Sequence, residues 1–224
     1  MISIIIPVYN EKKNIKQVQQ MLHNLEGEFE VIFCDGHSID GTADCIDPEY
    51  KVVLSEKGRA LQMNTGYVQS TGDILLFLHC DAMLEPKAVK VIEQAVQDGT
   101  RAGCLTLTFD DGGWLMDICA FMSNLRTKVR RIMFGDQGIF VERSLFEELG
   151  QMPKLPLMED YELSIRLKRK KVPVKQIDSM IQVSARRYQK NGIIRTMWLT
   201  QKMQILYLFG KDVNRLAKKY KDVR

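Results

Sequence analysis

An imidazole and a carboxylate follow an apolar run in the first half of the chain. The run Ile74–Leu78 contains only Ile, Leu and Phe, and it is followed by His79, Cys80 and Asp81. A run of this length and composition predicts a strand that is buried on both faces. His79 and Asp81 then have two interpretations: the chain reaches solvent at this point, or the two side chains bind a divalent metal ion.

Three further apolar runs also end in polar residues. The sequence reads "PVYNE" at residues 7–11, "CDGHS" at residues 34–38 and "SEKGR" at residues 55–59. If the runs are parallel strands, their carboxyl ends lie at one edge of the sheet, where ligands bind in this kind of fold. Carboxylates, an arginine, an aromatic ring and two histidines would then converge, which predicts a catalytic cleft. Ordinary polar surface loops are the alternative interpretation.

Strands and helices alternate over the first 97 residues. This alternation predicts an open α/β sheet that is mostly parallel, flanked by helices, with right-handed crossover connections. The predicted strands are Ile2–Val8, Phe29–Cys34, Lys51–Leu54 and Ile74–Leu78. The predicted helices are Asn14–Leu25, Thr42–Ile46, Gly58–Ser70 and Pro86–Gln97. Such a sheet would bring the four strand ends to one edge.

The pattern changes after Asp98. Residues Ala102–Phe109 alternate with period two, which predicts a half-exposed or antiparallel strand. Other predicted elements are helices at Trp114–Phe134, Arg143–Leu149 and Glu159–Lys170, and a short strand within residues 135–141. An amphipathic helix over Ile193–Phe209 follows. We therefore predict one domain, residues 1–192, and a C-terminal helical extension, residues 193–224, that packs on the domain or at an interface.

Composition limits the classes of protein to which the chain can belong. Its 224 residues are 45% hydrophobic, enough for one large core, and the formal net charge is only +4. The five cysteines form no CxxC pair, which favours a reducing, cytoplasmic location. No secretory pattern and no apolar stretch of roughly 18 residues is present, so we expect a soluble or peripheral membrane protein. The basic excess lies after Arg166, where phosphates, anionic lipid or solvent are candidate partners.

Four sequence blocks together resemble the family 2 glycosyltransferases, which are inverting enzymes of the GT-A fold. The blocks are "SIIIPVYNE", "CDGHSIDGT", "GRALQMNTGYVQSTGDILLFLHCDA" and "LMEDYELSIRL", and the resemblance extends from Ile2 to about Leu167. Within the family, "FLHCDA", "GDQGIFV" and "PLMEDYELS" are most similar to a small bacterial subgroup named for arsenosugar biosynthesis. The resemblance implies a GT-A sheet and a nucleotide-sugar donor.

The resemblance places the donor nucleotide at the first three strand ends. Pro7, Tyr9 and Glu11 would line the nucleoside pocket, and Asp35 would accept a hydrogen bond from a base N–H such as that of uracil. Arg59 would contact the diphosphate through its permanently charged guanidinium. As alternatives, Asp35 begins a turn and Arg59 is solvated.

A divalent metal ion is also implied. Family members carry a DxD-type motif at the position of residues 79–81, and its last acid holds Mg²⁺ or Mn²⁺ on the diphosphate. This chain has His79 in place of the first acid, and imidazole suits Mn²⁺ better than Mg²⁺. Asp81 is therefore the expected metal ligand. His79 is either a second ligand or a hydrogen-bond donor to the ribose or a phosphate.

Two adjacent acids resemble the family's acceptor-side motif. Asp160 is the expected catalytic base and Glu159 its substitute, because inversion in a single displacement needs a base beside the acceptor hydroxyl. Asp136 would touch the sugar. The alternative for the two acids is that they stabilise the N-terminus of a helix. The sequence Arg-Arg-Tyr at residues 186–188 would either cover the diphosphate or lie in solvent.

The implied function is metal-assisted transfer of a sugar, with inversion, from a UDP-linked donor to an unidentified small-molecule or lipid acceptor. The first alternative is a sugar-1-phosphate nucleotidyltransferase, although residues 7–14 lack the glycines of its phosphate loop. The second is a non-catalytic peripheral membrane adaptor that uses the helix over Ile193–Phe209. The same helix is a candidate homodimer contact. We expect no nucleic-acid partner.

Overall fold

The computed structural model describes residues 1–111 and 113–220. Within these residues, eight strands form one sheet in the order β3-β2-β1-β4-β7-β6-β8-β5. The strands are β1 (Ile2–Val8), β2 (Phe29–Asp35), β3 (Lys51–Leu54), β4 (Ile74–Phe77), β5 (Ala82–Leu84), β6 (Ala102–Phe109), β7 (Ile139–Glu142) and β8 (Lys175–Val183). The helices are α1 (Lys12–His23), α2 (Arg59–Gln69), α3 (Ala88–Gln97), α4 (Gly113–Arg130), α5 (Arg143–Glu148), α6 (Glu159–Arg169), α7 (Arg186–Asn191), α8 (Ile193–Leu208) and α9 (Val213–Lys219). Short 3-10 helices cover Ala43–Cys45 and Gly135–Gln137.

The sheet has a parallel half and a mixed half. Strands β3, β2, β1 and β4 are parallel neighbours, so their carboxyl ends meet at one edge, as the sequence predicts. Strand β7 pairs antiparallel with both β4 and β6, and β8 pairs parallel with β6 and antiparallel with β5. The predicted α/β class is confirmed.

Both faces of β1 are buried, as a continuous β-branched run predicts. Ile4 and Ile6 pack in a core cluster with Ile15 of α1 and Ile92 of α3. Ile5 points to the opposite face and packs in a second cluster with residues of α2, α5 and α6. Helices therefore cover the parallel half of the sheet on both sides and fix the position of its carboxyl edge.

Several elements differ from the sequence prediction. Residues 135–137 are a 3-10 helix, and α4 ends at Arg130 and not at Phe134. Strands β5 and β8 and helix α7 were not predicted, and α9 lies within the predicted C-terminal helical extension, for which only the helix Ile193–Phe209 was given bounds. Strand β8 alternates buried and exposed residues from Ile177 to Val183, with Ser179 among the buried and Met180 among the exposed positions. Strand β6 is mostly buried, so the half-exposed alternative is wrong, and the antiparallel alternative holds for its pairing with β7 but not for its parallel pairing with β8.

The C-terminal helices pack against the start of α6. Met203 of α8 and Leu216 of α9 are buried in a cluster with Leu157, Met158 and Tyr161. Tyr207 of α8 also donates a hydrogen bond to the carboxylate of Glu162, at 2.6 Å. The predicted division at residues 192 and 193 stays a prediction, and residues 221–224 of the extension lie outside the described residues. In the described part of the chain, no helix is both long and apolar enough to span a membrane.

Candidate active site

One glutamine side chain joins the carboxyl ends of β1 and β2. The Nε2 atom of Gln62 donates hydrogen bonds of 2.7 Å to the carbonyl oxygens of Val8 and Cys34. In the register of these strands, Pro7 lies opposite Cys34 and Val8 opposite Asp35. Two of the predicted nucleoside-binding residues, Pro7 and Asp35, therefore lie on adjacent strand ends that α2 holds in place.

Asp35 is buried and forms a turn. Its carboxylate accepts hydrogen bonds from the backbone N–H of Ser38, at 3.1 and 3.2 Å, and from the Ser38 hydroxyl. The predicted turn role is therefore present. Because a carboxylate has about four acceptor positions, contact with a nucleobase N–H is compatible with this turn and stays a prediction.

Tyr9 and Glu11 lie in the loop between β1 and α1. The Nζ atom of Lys57 lies 3.7 Å from the centre of the Tyr9 ring, a contact that sequence analysis did not suggest. Glu11 is buried and accepts a hydrogen bond of 2.6 Å from the side chain of Asn14. Its backbone N–H donates to the hydroxyl of Thr42, at 2.8 Å. Glu11 thus organises the loop, and a direct role in nucleoside binding stays a prediction.

A cavity of about 210 Å³ opens beyond the end of β4. Six of the predicted site residues line it together with side chains of α4 and α8: Arg59, His79, Asp81, Asp136, Glu159 and Asp160. These residues are separated by up to 101 positions in sequence, so only the fold brings them together. Among the described residues, those that line the cavity do not include Pro7, Tyr9, Glu11 and Asp35, which lie at the neighbouring strand ends.

Arg59 and Glu159 form an ion pair in this cavity. The Nε atom of Arg59 lies 3.3 Å from Oε1 of Glu159, whose side chain is only 5% exposed. Arg59 begins α2 and Glu159 begins α6, so the pair connects the two helix starts. An ionised carboxylate with so little solvent contact depends on such a partner. Arg59 therefore lies inside the cavity and faces Glu159.

Asp160 is held by backbone groups on two sides. Its Oδ2 atom accepts a hydrogen bond from the N–H of Gly135 and its Oδ1 atom from the N–H of Tyr161, both at 2.7 Å. A Cβ atom added at Gly135 would lie 2.9 Å from Nε2 of His79 and 3.5 Å from Oδ2 of Asp160. The imidazole and the carboxylate thus approach each other across Gly135, where a side chain would not fit.

Gly135→Ala is expected to displace His79 and to destabilise the fold modestly. Overpacking of this kind costs about 1 kcal/mol where a side chain end can move, and would lower the Tm by about 2–4 °C in a domain of this size. Thermal unfolding measures the effect. In a double-mutant cycle, His79→Ala removes the contact, so Gly135→Ala should cost less in that background. Equal costs in the two backgrounds would contradict the close contact.

Asp81 has a cationic neighbour from the C-terminal third of the chain. Its Oδ2 atom lies 3.6 Å from Nη2 of Arg186, the first residue of α7, and both side chains are partly exposed. Tyr188 lines the same cavity and packs edge-on against Phe109, with 5.3 Å between ring centres. Two members of the predicted Arg-Arg-Tyr cover therefore face the cavity. The side chain of the third, Arg187, lies outside the described residues.

The donor set for a metal ion is sparse. Within residues 1–111 and 113–220, no group of three or more His, Cys, Asp or Glu side chains could hold an ion. Mg²⁺ and similar ions are often bound by one or two carboxylates, with phosphate oxygens and water completing the shell. Asp81, whose carboxylate lies at the cavity wall, fits an ion of this kind. A site made of protein ligands alone does not fit these residues.

Arg126 is a site residue that sequence analysis missed. It lies in α4, lines the cavity, stacks 3.9 Å above the ring of Phe134 and donates a 3.0 Å hydrogen bond to Gln137. Burial lowers the pKa of its guanidinium, and the charges of Asp136 and Asp160 oppose that shift. Arg126 therefore places a positive charge beside Asp136 and Asp160. An arginine within a long helix gave no signal for this role.

Solved structures of glycosyltransferases share the fold described above. The mannosyltransferase PcManGT from Pyrobaculum calidifontis, in complex with GDP-Man and Mn²⁺, matches with a TM-score of 0.66 at 20% identity, over 91% of this chain and 61% of that chain. TarS 1–349 from S. aureus, in complex with UDP, matches with a TM-score of 0.61 at 17% identity, over 82% of this chain and 61% of that chain. The molecule thus has the fold of the GT-A glycosyltransferases, as predicted.

The sequence then identifies the family. Residues 3–141 match Glycosyl transferase family 2, and the chain belongs to that family. One curated relative, "Probable glycosyltransferase YdaM" from Bacillus subtilis (strain 168), is 24% identical over 193 residues, which cover 74% of this chain and 46% of the relative. The chain thus spans about half the length of that relative. The predicted enzyme class is confirmed, whereas the arsenosugar subgroup stays a prediction.

Proposed function

We propose that the chain transfers a sugar from a UDP-linked donor to an acceptor hydroxyl, with inversion at the anomeric carbon. The observation that carries the proposal is that Arg59, Asp81 and Asp160 line one cavity. A cation-binding carboxylate, a guanidinium and a candidate base are the groups that displacement of a diphosphate requires. Family membership supports the same chemistry.

In this proposal, the donor lies across the carboxyl edge of the parallel half-sheet. The nucleoside contacts Pro7, Tyr9, Glu11 and Asp35, and the diphosphate extends into the cavity towards Arg59. The UDP complex of TarS supports a uridine donor, and the GDP-Man complex of PcManGT makes guanosine its competitor. An acid at position 35 suits uracil because it can accept from the base N–H, and since guanine also carries N–H donors the choice between the two rests on the nucleotide panel described below.

Asp81 would hold the divalent ion, and His79 would serve as a second ligand or as a donor to the ribose or a phosphate. When bound, Mn²⁺ or Mg²⁺ supplies positive charge that offsets the charge developing on the leaving diphosphate. Mn²⁺ in the PcManGT complex supports this assignment. Arg59 supports the same charge with a fixed guanidinium, already positioned by its ion pair with Glu159.

The transfer itself is a single displacement. The acceptor oxygen bonds to the anomeric carbon as the bond from that carbon to the diphosphate oxygen breaks, and the electron pair leaves with UDP. Asp160 takes the acceptor proton, and Asp136 contacts the sugar. The two backbone N–H groups that donate to Asp160 hold its carboxylate in place through both oxygens.

A thermal-shift panel tests the proposal. UDP, GDP and free UTP are each added with and without Mn²⁺, and the UDP–Mn²⁺ pair is expected to stabilise most. Ligand at 100 times its Kd raises the free energy of unfolding by about 2.7 kcal/mol, which is readily measured. A panel with no shift for any nucleotide would contradict the proposal. Release of pyrophosphate from UTP and a sugar-1-phosphate would instead favour a nucleotidyltransferase.

A further inference from the structure

Helix α4 presents an apolar stripe to solvent. Trp114, Ile118, Phe121, Leu125 and Val129 are exposed, and their spacing of three or four residues places them on one helix face. The opposite face carries the residues that α4 contributes to the core, Met116, Cys119, Ala120 and Thr127. The exposed stripe is therefore additional to what the fold requires.

Helix α8 also presents apolar side chains to solvent. Ile194, Trp198, Ile205 and Leu208 are exposed, as is Phe209 directly after the helix. The buried residues of α8 are Thr196, Met203 and Gln204, two of which are polar. Although α8 packs on the domain through Leu199, Met203 and Leu206, its outer face still presents large apolar side chains to solvent, which a surface helix of a globular protein does not normally do.

The two stripes flank the mouth of the active-site cavity. Helices α4 and α8 pack together where Met116 and Cys119 contact Ile193 and Met197. Met122 of α4 is half exposed and lines the cavity beside the α4 stripe. Gln201 of α8 is exposed and lines the cavity beside the α8 stripe. The exposed apolar residues of α4 and α8 named above are here called together the α4–α8 surface.

The surroundings of this surface are strongly basic. Residues 186–220 contain nine lysines and arginines and one acid, Asp212. On α8, the Nζ atom of Lys202 lies 4.7 Å from the centre of the Trp198 ring, so charge and apolar area are adjacent. A symmetric dimer through this surface would place the basic groups of one copy against those of the other, and the repulsion between like charges disfavours a second copy of the chain as the partner. Anionic lipid complements both the charge and the apolar area.

We propose that the α4–α8 surface docks on an anionic membrane, with the mouth of the cavity facing the lipid. Exposed Trp and other large apolar side chains would enter the interface, and lysines and arginines would lie at the headgroups. The proposal goes beyond the proposed function, because docking requires neither a donor nor turnover. It implies that the acceptor reaches the cavity from the lipid side.

The two tryptophans of the chain provide a label-free test. Trp114 lies on α4 and Trp198 on α8, they are 70% and 63% exposed, and the chain contains no other Trp. Phosphatidylcholine vesicles, with and without phosphatidylglycerol, are added to the full chain. Tryptophan emission is expected to shift to shorter wavelength, and acrylamide quenching to fall, with the anionic vesicles. Trp114→Phe and Trp198→Phe variants then report on each helix separately, and both should show the shift.

Vesicle sedimentation tests the contribution of each element. The Phe121→Ser/Ile205→Ser double variant should lose binding, whereas Val68→Ser, which removes an equally exposed apolar side chain from α2, should not. Arg195→Gln/Lys202→Gln should lower the partition coefficient by about fivefold per charge removed. UDP–Mn²⁺ binding, measured on the same samples, shows whether the fold and the donor site are intact and keeps this test separate from the proposed function.

Three results would overturn the docking proposal. The first is an unchanged emission spectrum with anionic vesicles. The second is a shift from only one of the two tryptophans, because the surface would then not include both helices. The third is a concentration-dependent dimer that Phe121→Ser/Ile205→Ser dissociates, since a second copy of the chain would then cover the surface.

Discussion

Asp160→Asn is expected to lower the turnover number by about 10²–10⁴-fold, the usual cost of losing a general base. The substitution preserves the size of the side chain, and an amide oxygen can still accept from one of the two backbone N–H groups that contact Asp160. It cannot take a proton from the acceptor. UDP–Mn²⁺ affinity should therefore stay within about twofold while turnover falls.

A matched control separates catalysis from helix stabilisation. Glu162 is also an acid in the first turn of α6, but it contacts Tyr207 and does not line the cavity. If the acids mainly stabilise the helix N-terminus, Glu162→Gln should affect turnover as much as Asp160→Asn. Full activity in Asp160→Asn with loss in Glu159→Gln would transfer the role of base to Glu159.

Asp81→Ala should remove the dependence of UDP binding on the divalent ion. Addition of Mn²⁺ should increase the affinity of the wild-type protein for UDP. In the variant, the factor by which Mn²⁺ increases this affinity should be smaller by about tenfold or more, equivalent to about 1.4 kcal/mol. Isothermal titration with and without Mn²⁺ measures the difference. The physical reason is that Asp81 is the carboxylate that the proposed ion would bind at the cavity wall.

Asp73→Ala is the control for this prediction. Asp73 immediately precedes β4, whereas Asp81 follows its carboxyl end, so the control removes a carboxylate from the opposite end of the same strand. Its effect on metal-dependent binding should be negligible. If Asp81→Ala behaves like Asp73→Ala, the metal assignment is wrong, although the base assignment tested by Asp160→Asn would stand.

Local patterns were enough to predict the parallel half of the fold. Strands β1 and β3 have the predicted limits, because a continuous apolar run and a short β-branched segment each specify a strand without help from distant residues. Strand β8 was missed because its polar–apolar alternation is broken at Ser179, which is polar but buried, and at Met180, which is apolar but exposed. Its place between β6 and β5 depends on pairings with segments about 70 to 100 residues earlier, which no local pattern contains.

The candidate site likewise divides into residues that local sequence predicts and contacts that it does not. Six residues chosen from the sequence line one cavity. His79 and Asp81 follow β4, Arg59, Glu159 and Asp160 lie at helix starts, and Asp136 lies just before β7, which runs antiparallel to β4. Their partners were not predictable. Arg59 forms an ion pair with Glu159, which lies 100 residues later in the sequence, and Asp81 forms one with Arg186, which lies 105 residues later. Arg126 reaches the acids only because α4 packs beside the cavity.

The contact between Asp81 and Arg186 has a consequence for the order of ligand binding. A guanidinium already occupies one side of the carboxylate to which the proposed divalent ion would bind, so ion and arginine compete for it. An incoming diphosphate offers Arg186 another anionic partner and thereby releases Asp81. Nucleotide and ion should then each strengthen the binding of the other by an equal factor, as thermodynamic linkage demands.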